Sequence, residues 1–257
     1  METLPELDSR RASLYGDEVS RNVETLVWRV RSSPMPIFSD CLLFNNALRH
    51  ACIRAIGANV PSQITGHDSS GQPLLGHKHG HFLALGSVES CMDNDSVKYF
   101  AAWFPEGIEI KTVAALAGIR KLYVQRKAVG TGEVSIVPDC MGEFRLLLPQ
   151  LPGTAVRWRT ITPFVPTRHI HKKENLRTFL KANVESELRD REHRVRVTDL
   201  SFSPAYSVSG LRSESGNHLF RSYHLSMALS GMVTGPLCLG RHSHFGYGLF
   251  EPAGALA

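Results

Sequence analysis

Apolar and polar positions along the chain fall in turn into the two-residue alternation of strands and the wider spacing of helices. Val23–Arg31 is rich in strand formers. Its second half alternates, with Trp28 and Val30 on one face and Arg29 and Arg31 on the other. Asn45–Ile56 follows with helical spacing: Ala47, Cys52 and Ile56 are apolar, Arg49 and Arg54 polar. A loop rich in Gly, Ser, Asp and Pro runs from Ser62 to Pro73. His77–Leu85 and Val97–Phe104 read as neighbouring strands, with a turn signal at Met92–Asp95 between them. Ile108–Ile119 reads as an apolar helix and Glu133–Pro138 as a short strand. The order is β-α-β-β-α-β, which is ferredoxin-like.

The pattern starts again near Gly153. Ala155–Phe164 reads as a strand, Lys172–Glu192 as a long charged helix, and Arg194–Phe202 and His218–Leu229 as strands. A final strand is expected over His244–Phe250, and no second helix is legible. The expected class is therefore α+β: a lead-in over 1–22, one ferredoxin-like (RRM-like) half over 23–150, and a second, degraded half over 151–257.

Composition narrows the field. The chain has 257 residues and is 42% hydrophobic, enough for a sizeable core. Its net charge of +5 suits a polyanionic partner without requiring one. Five scattered cysteines, with no C-x-x-C pair, disfavour a disulfide scaffold and a cysteine-rich zinc site. The polar start, Met1 to Arg21, does not read as a signal peptide, and no apolar run reaches membrane-spanning length. A cytoplasmic protein is expected.

Four segments carry candidate chemistry. Gly76–Phe82 places His77, His79 and His81 at alternate positions, on one face if extended, with Lys78 opposite. Imidazole suits general acid–base work near neutral pH; the same residues also fit a zinc site or structural packing. In Gly240–Gly248 the glycines Gly240, Gly246 and Gly248 suit close backbone approach to phosphate. Arg241 adds a forked cation, His242 and His244 acid–base groups, and Phe245 or Tyr247 a ring to stack on a base. The alternative there is a hairpin turn with glycines placed for geometry. The helix around Lys172–Glu192 carries Arg168, Lys172, Lys173 and Arg177, which suit phosphates, although interleaved acids also fit a self-paired surface helix. Arg21, Arg29 and Arg31, with Arg157 and Arg159 in the second half, form a last candidate backbone track.

Walker, nucleophile-elbow and dinucleotide fingerprints are absent, and paired acids of the kind that hold two metal ions are not evident. No metal and no cofactor is expected.

Ser69–Leu74 followed by Gly76–Phe82, together with Gly240–Phe250, resembles the RAMP superfamily of CRISPR-associated proteins. Within it, the likeness is to endoribonucleases that cleave precursor crRNA, with Thr162–Val165 and Arg168–His169 adding a weaker match. The resemblance implies metal-independent cleavage by a 2′-hydroxyl, leaving a cyclic phosphate. One of His77, His79 and His81 would be the base, Arg241 the charge stabiliser, and His242 or His244 the acid. The implied partners are precursor and mature crRNA, through a repeat hairpin, and other CRISPR effector-complex proteins, with no membrane. A non-catalytic RAMP scaffold and a His-metal phosphoesterase remain the alternatives.

Overall fold

Val23–Val30 (β1) carries apolar side chains on both faces. Leu26, Trp28 and Val30 enter one core while Val27 enters another. A strand apolar on both faces belongs in the middle of a sheet, and β1 sits there: the first sheet runs β2-β3-β1-β5-β4, antiparallel throughout. The computed structural model describes residues 23–72, 74, 79–86, 96–126, 130–171, 173–205 and 221–254. The lead-in 1–22, Arg21, His77, Lys78, Lys172 and the turn at 92–95 lie outside them.

Helix α1 spans Cys41–Ile56, beginning four residues earlier than its pattern suggests because Cys41 and Phe44 extend the apolar face. Gly57, at φ +74°, ends it. A short helix, Ser62–Thr65 (α2), interrupts the expected loop. β2 (His81–Leu85), β3 (Tyr99–Ile108) and α3 (Ile110–Ala117) follow. The closing strand of the ferredoxin order is a hairpin, β4 (Lys121–Arg126) and β5 (Gly130–Gly142), with β5 beside β1 and β4 at the edge. β4 was legible in the alternation of Leu122 and Val124 with Lys121 and Tyr123, a signal the sequence reading passed over.

After the one-turn helix Phe144–Leu147 (α4), the second sheet runs β7-β8-β6-β10-β9. Its strands are β6 (Thr154–Thr160), β7 (Val197–Pro204), β8 (Tyr223–Thr234), β9 (Leu237–Cys238) and β10 (Leu249–Pro252). Helix α5 (Leu176–Asp190) lays Phe179, Leu180, Val184 and Leu188 on this sheet. Among the described residues no second helix lies between β8 and β10; β9 and a 3-10 turn, Ser243–Phe245, stand there. The expected strand His244–Phe250 is thereby corrected. His244 and Phe245 lie in the 3-10 turn, Gly246 and Gly248 have positive φ (+79° and +56°) that a regular strand does not hold, and extended structure begins only at Leu249.

A third cluster joins the sheets. Val27, Leu83, Leu85 and Ala101 of the first sheet pack with Phe144, Leu148, Ile161 and Leu249, and Val165 and Tyr247 reach into the first core.

Candidate functional site

The glycine-rich turn is held by its own backbone. The amides of Gly240, Arg241 and Gly248 donate to the Glu187 carboxylate, the Val165 carbonyl and the Pro163 carbonyl, at 2.8, 2.8 and 2.9 Å. The amides of Phe245 and Gly246 close the 3-10 turn onto the His242 and Ser243 carbonyls. A β-carbon at Gly246 would stand 2.6 Å from Asn45 Nδ2, and one at Gly248 only 1.9 Å from the Leu239 carbonyl. The expected outward row of phosphate-binding amides at Gly240, Gly246 and Gly248 is therefore absent. These glycines bring the turn against its neighbours instead. Tyr247 is corrected likewise: its ring is fully buried beside the Cys41 thiol and cannot stack on a base. Burial pushes that thiol up to about 11.

What the turn delivers is a pair of histidines from the two halves of the chain. His79, just before β2, and His244, in the turn, have ring centroids 5.8 Å apart. Phe245 lies 4.1 Å from the His244 ring. Gly66 backs the pair, since a β-carbon there would be 4.0 Å from His79 Nδ1. His81 diverges from His79. It is 5% exposed, stacks on Trp103 at 4.7 Å, and its Nδ1–H donates to the Ser243 carbonyl at 3.4 Å. His77 lies outside the described residues, and the other two members of the expected row, His79 and His81, do not share a strand face, because the described strand begins at His81. His81 braces the turn and is too enclosed to meet a substrate.

Burial is the main cause that lowers each of these rings: His81 to about 3, His244 to about 4, and His79 and His242 below the usual imidazole range. All four are neutral at pH 7 in the free protein. The unfolded chain takes up protons near the ordinary histidine value of about 6.5, while the folded chain resists until lower pH. Stability contributed by these rings is complete above about pH 6.5 and falls as pH drops toward the folded values. The melting temperature should decline steadily from about pH 7 to pH 5; a level one would contradict the burial of His81 and His244.

Cations frame the pair. Arg49 donates to the Ile64 carbonyl at 2.8 Å and to the Thr65 carbonyl, and its guanidinium lies over the Phe245 ring at 5.9 Å. Asn45 donates to the Phe245 carbonyl at 2.8 Å. Arg241 is half-buried and donates to the Thr167 carbonyl at 3.2 Å. Glu187 accepts from Arg191 at 2.9 Å as well as from the Gly240 amide, and Arg191 also donates to the Cys238 carbonyl. Sequence reading missed Asn45, Arg49 and Glu187 as site-builders. The available signal was Asn45 and Arg49, one helical turn apart beside an apolar face.

The remaining expected contacts lie elsewhere. Arg168 pairs with Glu174 through both guanidinium nitrogens at 2.8 and 2.6 Å and covers the Phe179 ring, and Arg177 pairs with Asp199 at 2.8 Å. Lys173 is exposed. The start of α5 is thus largely self-paired. Arg29 pairs with Asp139 and Arg159 with Glu251, both at 2.6 Å, while Arg31 and Arg157 are exposed. Among the described residues no group of three His, Cys, Asp or Glu is arranged to hold a metal ion. No helix among them is long and apolar enough to cross a membrane.

No family model and no curated protein sequence matches the chain. Solved structures do. Cas6b aligns over 91% of this chain and 100% of its own at 11% identity, with a TM-score of 0.51. A RAMP protein binding different RNA substrates aligns over the same shares at 10% identity and a TM-score of 0.49. A CRISPR associated protein Cas6 does so at 13% and 0.48. At such identities the likeness concerns the fold: this chain has the fold of Cas6b, the tandem ferredoxin-like architecture that the resemblance to the RAMP superfamily implied.

Proposed function

We propose that the chain is a metal-independent endoribonuclease that binds a CRISPR repeat hairpin, cleaves precursor crRNA, and keeps the mature crRNA as a subunit of an effector complex. The observation that carries this reading is the convergence of His79 and His244, neutral and half-buried, with Arg49 beside His244 and Arg241 in the same turn as His244. Two unprotonated imidazoles beside cations suit proton removal next to a phosphodiester.

In the proposed reaction His79 takes the proton of the 2′-hydroxyl upstream of the scissile phosphate. The 2′-oxygen attacks phosphorus, the bond to the 5′-oxygen breaks, and the departing oxygen receives a proton from the imidazole pair. The products are a 2′,3′-cyclic phosphate and a 5′-hydroxyl. No histidine need be protonated beforehand, which fits the lowering of both His79 and His244 by burial. Arg49 and Arg241 would supply the guanidinium groups that stabilise charge gathering on the phosphate. His242, also lowered by burial, is a neighbour of Phe245 at 6.4 Å and belongs to the same wall.

The test is incubation of a repeat hairpin with the protein, with and without EDTA, and with a hairpin carrying deoxyribose at the attacking position. Cleavage should survive EDTA, stop on the deoxy substrate and leave a cyclic phosphate. Tight binding with no cut would instead support a RAMP scaffold. Loss in EDTA with rescue by added metal would support a phosphoesterase.

A further inference from the structure

Arg49 is the near end of a longer basic strip. Beyond it α1 carries His50 and Arg54, both exposed. Arg54 lies over the ring of Tyr123, 5.8 Å from its centroid. Tyr123 belongs to β4, the edge strand of the first sheet, and is 50% exposed. Partial burial and the flanking guanidiniums of Arg49 and Arg54 hold His50 below the usual imidazole range, so the three groups feel one another. Among the described residues no carboxylate pairs with any of the three. Glu133, opposite Tyr123 on β5, is engaged by Lys121 at 2.9 Å.

The contrast with α5 is informative. There Arg168, Arg177 and Arg191 each pair with an acid. On α1 Arg49 and Arg54 have no acid partner among the described residues, and they alternate with rings: Phe245, Arg49, Arg54, Tyr123. From Asn45 to Arg54 the helix rises about 14 Å, the length of roughly four stacked nucleotides at about 3.4 Å each. Rings and guanidinium planes that stay accessible hold single-stranded RNA by stacking and charge, without reading sequence. A paired stem would hide the base faces that Tyr123 could meet.

We propose that the outer face of α1 and Tyr123 form a track for single-stranded RNA leading away from the His79–His244 seam. The choice of RNA rests on the functional reading above, since the track begins at Phe245 and Arg49.

The test is equilibrium binding of a labelled oligouridine to the full chain and to Arg54→Ala, Tyr123→Ala and Tyr123→Phe, with thermal melts to show that each variant is folded. Both alanine variants should bind about ten-fold more weakly, and Tyr123→Phe, which keeps the ring, should bind like the original chain. Alanine variants that bind as tightly as the original chain overturn the track. So does an original chain that does not bind oligouridine, or a Tyr123→Phe variant as weak as Tyr123→Ala. Repeat-hairpin cleavage, assayed in parallel, separates the two readings. Ring-dependent binding without cleavage removes the nuclease and keeps the track; cleavage with ring-independent binding does the reverse.

Discussion

Alanine at His79 or at His244 should lower the single-turnover cleavage rate of a repeat hairpin by about 10²–10⁴-fold, the usual range for removing a general acid–base group. That range corresponds to about 3–5 kcal/mol of barrier. RNA affinity should change little, since neither ring carries charge in the free protein at neutral pH and the cations around them remain. The double variant should be little worse than the poorer single one, because the two rings handle one proton as a unit. His81→Ala tests the division of labour among the histidines. It removes a buried ring between Trp103 and the Ser243 carbonyl, so its damage should appear first in the melting temperature. Single variants at His79 and His244 that both cleave at the original rate would falsify the assignment of catalysis to this pair.

Gly248→Ala should be the most damaging glycine-to-alanine change among the described residues. Gly248 sits at φ +56°, and a β-carbon there would lie 1.9 Å from the Leu239 carbonyl. Relief by a small shift is blocked on both sides: the Gly248 amide donates to Pro163 and its carbonyl accepts from Leu239, each at 2.9 Å. The turn must therefore move as a whole, dragging Tyr247 from the first core. A loss of about 4 kcal/mol or more is expected, in the range reserved for such backbone clashes. At about 2–4 °C per kcal/mol for a chain near this size, the melting temperature should fall by roughly 10 °C. Gly254→Ala is the control, since a β-carbon there meets nothing within 4 Å. Equal melting temperatures for the two variants would remove the packing role assigned to Gly248.

Both predictions bear on one segment, Gly240–Phe250, whose chemistry and geometry the sequence presents together. Its glycines read naturally as a phosphate cradle, because glycine frees the backbone to approach a ligand. The structure spends that freedom on approach to Asn45, Phe82 and Leu239. Whether a glycine faces a ligand or a neighbouring chain segment depends on what lies across from it, and composition cannot tell. Charge was misleading in a similar way. The cations before and along α5 are the densest run in the chain, yet Arg168, Arg177 and Arg191 are matched by acids. The sparser Arg49 and Arg54 of α1 are not paired with carboxylates among the described residues.

The sequence by itself determined most of the long elements and their order, though not β4, β9 or the turn before β10. Periodicity of apolar residues is a local property, and local patterns place β1, α1, β3, α3, β6 and α5 within a few residues of where they form. It also marked His79 and His244 as candidates, since imidazole is chemically conspicuous wherever it lies. The tertiary structure alone decided that these two rings meet while His81 turns into the core. Residues 165 positions apart are brought together by burial of Val165, Tyr247 and Leu249 in shared apolar clusters, a non-local packing choice that no window of the sequence contains.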